Sequence, residues 1–149
     1  MSTPSGERDI PVRDGYWPLI VAAQNGHTQV CKVLVEQGSD INQMHPLTKD
    51  SALSYAACNG HHKTLLTLLS LGARVDSQTY TGISPLGAAC QNGNLSVVVS
   101  LLEAGADSNL SDTNGAPPIH KAAAKDRVAI VMTMLEHGCN KENVRNKIL

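Results

Sequence analysis

The chain has 149 residues, a net charge of −1 and only 17% charged residues, with no Phe, one Trp and three Tyr. That length suffices for one domain with a substantial core, and that charge exerts no long-range pull on nucleic acid or an anionic membrane. Aromatic platforms on which single-stranded bases could stack are scarce.

Residues 1–13 read as a polar arm. Met1 to Val12 lack the apolar stretch of a secretory leader. No run approaches the ~18 apolar residues of a membrane span, so no membrane insertion is expected. From Asp14 onward the chain repeats itself. Trp17-Pro18-Leu19-Ile20-Val21-Ala22-Ala23-Gln24-Asn25-Gly26-His27 returns as Ser51 to His61, Ser84 to Asn94 and Pro117 to Arg127, at spacings of 34, 33 and 33 residues. A fixed period of this size signals stacked supersecondary units.

Each unit has the same order. A turn at Gly15, Lys49, Gly82 or Gly115 leads into a short Ala-rich helix. Pro18, Pro85 and Pro118 open three of these helices, where a fixed φ and a missing N–H cost nothing. Gly26, Gly60, Gly93 and Asp126 stand at the close, a position that favours the left-handed conformation. A second helix follows with closely spaced apolar residues, such as Leu65 with Leu68-Leu69 and Val97-Val98 with Leu101-Leu102, which makes a face that must be buried. Gly38, Gly72, Gly105 and Gly138 stop it, again at spacings of 34, 33 and 33. Repeats are expected at about 14–46, 47–79, 80–112 and 113–140, with 141–149 as a C-terminal tail. The first finger, Gln43 to Leu47, carries one extra residue.

This pattern resembles the ankyrin repeat, in which a Thr-Pro-Leu-His-x-Ala-Ala-x-x-Gly-His run precedes an apolar helix and Gly-Ala-Asp-x-Asn. The resemblance covers about Asp14 to Asn140. It implies an all-α solenoid of helix-turn-helix units with projecting β-hairpin or turn fingers, a protein-binding function, and no enzymatic activity or cofactor. The chain departs from the pattern at the capping Thr, which is Trp17 in the first unit and Pro117 in the fourth. It departs again at Asp126, where Gly is expected. The fourth unit should therefore be the least stable.

In ankyrin proteins partners usually bind the side formed by the fingers and short helices. Carried over unit by unit, the partner-binding candidates are Tyr16, Asn25, His45, Leu47, Asp50, Asn59, Tyr80, Ile83, Asn92, Thr113, Asn114 and Lys125. Tyr16, Leu47, Tyr80 and Ile83 are the large residues expected there, of the kind that anchors interfaces. Asn25, Asn59 and Asn92 either form a row of amides that reads an extended peptide or simply suit a helix C-terminus. On the opposite side Leu66, Val99 and Met132 form an apolar ridge, a second contact surface unless neighbouring side chains cover it.

Cys58-Asn59-Gly60-His61-His62 has close Cys/His spacing but no converging further ligands, so neither a metal site nor a thiolate nucleophile is expected. The four Cys occupy four different positions of the repeat, which points to reduced thiols and a cytoplasmic or nuclear location. Ile20 at one end and Met134 with Leu135 at the other are apolar where a terminal unit would be polar. That leaves a fragment of a longer array, self-association through uncapped ends, or tolerated exposure. The alternative function is accordingly a structural or scaffold segment.

Overall fold

The structure is a computed structural model and describes residues 17–137. Eight helices follow in pairs: α1 (Pro18–Gln24) and α2 (Thr28–Glu36), α3 (Ala52–Cys58) and α4 (His62–Ser70), α5 (Pro85–Asn92) and α6 (Leu95–Glu103), α7 (Pro118–Ala124) and α8 (Val128–Glu136). The first helices α1, α3, α5 and α7 pack in one layer, and the second helices in another. The core lies between the layers and between successive pairs. Ala23, Ala56, Ala57 and Ala89 let the first helices approach closely, while Leu53, Leu65, Leu68, Leu86, Val97, Val98 and Leu101 fill the space. Burial of each such aliphatic side chain stabilises by about 1.5–3 kcal/mol.

Helices of seven to nine residues leave most of their terminal backbone groups without intrahelical partners. The stack supplies them from the next unit. The carbonyl of Gln24 accepts from His61 Nε2 at 2.9 Å and from Asn59 Nδ2 at 3.1 Å. In the next unit Ala57 O accepts from Asn94 Nδ2 at 3.0 Å, and Cys58 O from Asn92 Nδ2 at 2.9 Å. Arg127 Nη2 reaches Gln91 O at 3.3 Å. The residue opposite each of these side chains must be small. A Cβ on Gly26, Gly60 or Gly93 would come within 2.8–2.9 Å of His61, Asn94 or Arg127, and all three glycines have positive φ. Asp126 takes the same left-handed conformation, φ 59, with a side chain.

The fingers are turns. Among the described residues no strand forms, and the single isolated bridge joins Met44 and Ser51. Successive fingers are nonetheless tied together. Tyr80 N donates to Thr48 O at 2.8 Å, Thr113 N to Thr81 O at 3.1 Å, and Arg74 N to Asn42 Oδ1 at 2.9 Å. The extra residue of the first finger widens its tip. His45 N bonds Asp50 O, five residues on, where Thr79 N bonds Ile83 O and Asp112 N bonds Ala116 O, four residues on.

The expected end faces are corrected. Ile20 and Met134 are buried and Leu135 is half-buried. The apolar pair open at the first end is Val30 and Val33, 51% and 54% exposed. Val30's equivalents Thr64, Val97 and Ile130 are buried against a preceding unit, while Val33's are the half-buried Thr67 and Thr133 and the buried Ser100. At the other end Ala123 is exposed, whereas Ala23, Ala57 and Cys90 in its register are buried by a following one.

Candidate interaction groove

Fingers and first helices together form the face to which the partner-binding candidates were assigned, and two of them dominate it. Leu47 and Tyr80 are 75% and 74% exposed. They belong to neighbouring fingers joined by the Tyr80 N to Thr48 O bond, so their spacing is held by the backbone. Ile83 is half-buried, and Thr113, Asn114 and Lys125 are exposed. Tyr16 lies outside the described residues.

Several candidates spend part of their hydrogen-bonding capacity inside the fold. His45 Nδ1 accepts from Leu47 N at 3.1 Å and Thr48 N at 3.3 Å, which closes the first fingertip and leaves Nε2 to bear the ring proton in the neutral form. Thr79 and Asp112 do the same for their fingers, through Ile83 N and through Asn114 N with Ala116 N. Asn59 and Asn92 each commit Nδ2 to the previous unit, and Asn25 commits its own to Val21 O. Asn59 and Asn92 therefore act first as ties between helices, and Asn25 as a tie within its own. The two histidines of the Cys58–His62 run go to different partners, His61 to Gln24 O and His62 Nε2 to Ser100 Oγ at 2.7 Å.

Two carboxylates on this face differ in their surroundings. Lys121 Nζ donates to Asp112 Oδ2 at 2.6 Å, and both side chains are largely covered. That hydrogen bond, with backbone N–H donors from Ala116 and Asn114, holds the Asp112 carboxyl down at about 2. Asp50 stands in the register of Ile83 and Ala116, half-buried, with no ion pair to any described residue. Burial pushes its carboxyl above the ordinary value, against a hydrogen bond with the Thr48 side chain and the charge of His45. Sequence reasoning placed Asp50 on this face but missed the contrast, because Lys121 lies nine residues beyond Asp112 and only the helix packing brings them together.

A cavity of about 260 Å³ opens between the second and third units, with Asp50, Ser54 and Cys58 on one wall and Thr81, Ile83 and Asn92 on the other. On the opposite side of the molecule Leu66 and Met132 are exposed and Val99 between them is half-buried. Among the described residues, Cys31, Cys58 and Cys90 form no disulfide. Cys139 lies outside the described residues. Among those residues no helix is long and apolar enough to cross a membrane.

Paired helices, left-handed glycines at fixed register and linked fingers define a helical repeat array built to present a surface. The family model for ankyrin repeats (three copies) matches residues 4–79 and 53–146. The chain belongs to the ankyrin repeat family. Among similar proteins, the fruit-fly ankyrin repeat and KH domain-containing protein mask is 40% identical over 75 residues, half of this chain. Human ankyrin repeat domain-containing protein 17 is 36% identical over 74 residues, and the mouse B-cell lymphoma 3 protein homolog 34% over 87, covering 49% and 57% of this chain. The matched segments make up 2%, 3% and 19% of those three proteins.

Proposed function

We propose that this ankyrin domain is a protein-interaction module that holds a partner protein or peptide along the face formed by fingers and first helices. It performs no catalysis and acts in the cytoplasm or nucleus. One observation carries the reading: Leu47 and Tyr80 are largely exposed on adjacent fingers whose separation the backbone fixes. Large side chains held rigidly lose little entropy when a partner covers them, and such residues anchor interfaces.

The test is quantitative affinity capture with the parent chain and a Leu47→Ser/Tyr80→Ala variant. The variant should melt within about 0.5 kcal/mol of the parent, since both side chains are outside the core. Proteins retained by the parent and lost by the variant support the reading. Identical capture by both chains refutes it.

A second reading is a structural segment that associates through its ends or its opposite face. Exposed Val30 and Val33, with Leu66 and Met132, favour it. Light scattering over a hundredfold concentration range decides. A constant monomer mass removes this alternative.

A further inference from the structure

We propose that the cavity between the second and third repeats seats a cationic side chain of the partner, an arginine, against the Asp50 carboxylate. The proposal rests on the groove reading and gives it a chemistry. The cavity is about 260 Å³ and open on one side. Small-molecule sites run to roughly 300–1,000 Å³ and enclose their ligand, so this space suits one side chain of a larger partner.

The walls offer acceptors. Asp50 contributes a carboxylate without an ion pair to any described residue. Asn92 has committed Nδ2 to Cys58 O and Sγ, which leaves Oδ1 as its remaining acceptor. Ser54 Oγ is already bonded to Ser51 Oγ. Gln91, Thr81 and Ser84 also line the space with groups that can donate, but its one charged group is the Asp50 carboxylate, which calls for a donor-rich cation. Guanidinium has five N–H donors and pairs with a carboxylate bidentately. Ile83 and Ala88, which also line the space, suit the aliphatic stem of such a side chain.

The comparison within the molecule points the same way. The largely covered carboxylate of Asp112 has its own cation, Lys121 of the fourth unit. Against its burial the half-buried Asp50 carboxylate has a hydrogen bond with Thr48 and the charge of His45, but no ion pair with any described residue. A partner's cation would supply one.

The probe is a phage-displayed library of random 12-residue peptides, selected on the parent chain. The enriched peptides are resynthesised with arginine replaced by citrulline, a neutral near-isostere, and each is measured against the parent, Asp50→Asn and Leu47→Ser/Tyr80→Ala. The expected result is a shared arginine whose replacement weakens binding to the parent about ten- to hundredfold and to Asp50→Asn hardly at all. The citrulline arm leaves the protein unaltered, so it does not depend on how the variant folds. Peptides indifferent to citrulline, or bound equally by parent and Asp50→Asn, overturn the cation seat. If those peptides still fail on Leu47→Ser/Tyr80→Ala, the groove reading survives; if they bind that variant too, or nothing is enriched, both fall.

Discussion

The helices α3 and α5, in the middle of the stack, begin at Ser51 and Ser84, whose hydroxyls accept from Ser54 N and Gly87 N at 3.1 Å. The helices α1 and α7, at its ends, begin at Trp17 and Pro117, which supply no such bond, and Trp17 leaves its buried indole N–H without a partner among the described residues. The inner units also have both faces covered, while Val30, Val33 and Ala123 are exposed on the outer ones. Stability is thus concentrated in the middle of the stack. The cavity with Asp50, which has no ion pair to any described residue, lies in the same place. A half-buried carboxylate that burial penalises is best tolerated where packing and capping are most complete.

The largest expected effect tests that concentration directly. Leu68 is fully buried and Leu34, in the same register one unit earlier, is half-buried. Leu68→Ala should cost about 2–5 kcal/mol in urea unfolding, and Leu34→Ala clearly less. Equal losses would show that inner and outer units are supported alike. Next comes the cap: Ser84→Ala should cost about 1 kcal/mol by the same measurement, the value of a lost N-terminal side-chain bond. No change would mean that Pro85 alone holds the helix start.

Asp126 gives a gain of similar or smaller size. A side chain at φ 59 is strained, so Asp126→Gly should raise the melting free energy of the outer fourth unit by up to about 1 kcal/mol. A lowered melting temperature would assign the Asp126 carboxylate a stabilising role that outweighs its backbone.

The two carboxylates set the finest contrast, one of pH. The Asp112 carboxyl is held at about 2, below its ordinary 3.8. Its contribution is therefore present above about pH 4 and lost as pH falls through 2. Asp112→Asn should lower stability at neutral pH and flatten that acid limb. Asp50 is shifted upward, so its protonated form favours folding and that contribution fades as pH rises. Asp50→Asn should melt no lower than the parent at pH 7. A destabilised Asp50→Asn protein would mean that the carboxylate is stabilised within the fold, and the contrast with Asp112 would vanish.

Much of this was readable in the chain. The period of 34, 33 and 33 residues located every helix pair, because stacking demands the same apolar and glycine positions in each unit. The missing caps at Trp17 and Pro117 and the left-handed Asp126 follow from local backbone chemistry, and the structure bears all three out. The groove itself was legible only as a list of positions off the core.

What needed the tertiary structure is whatever depends on a neighbour about 33 residues away. Periodicity placed Ile20 and Met134 on end faces, but burial is decided by which flank of a helix the adjacent unit covers, and that left Val30 and Val33 open instead. Periodicity likewise could not say that the amides of Asn59 and Asn92 would turn to the preceding unit's carbonyls. Nor could it say that Lys121 would pair with Asp112 while Asp50 has no ion pair among the described residues. Repetition along the chain determined the architecture, since every unit must solve the same packing problem. Charge pairing and exposure were decided in space, because side chains that do no stacking are free to differ from unit to unit.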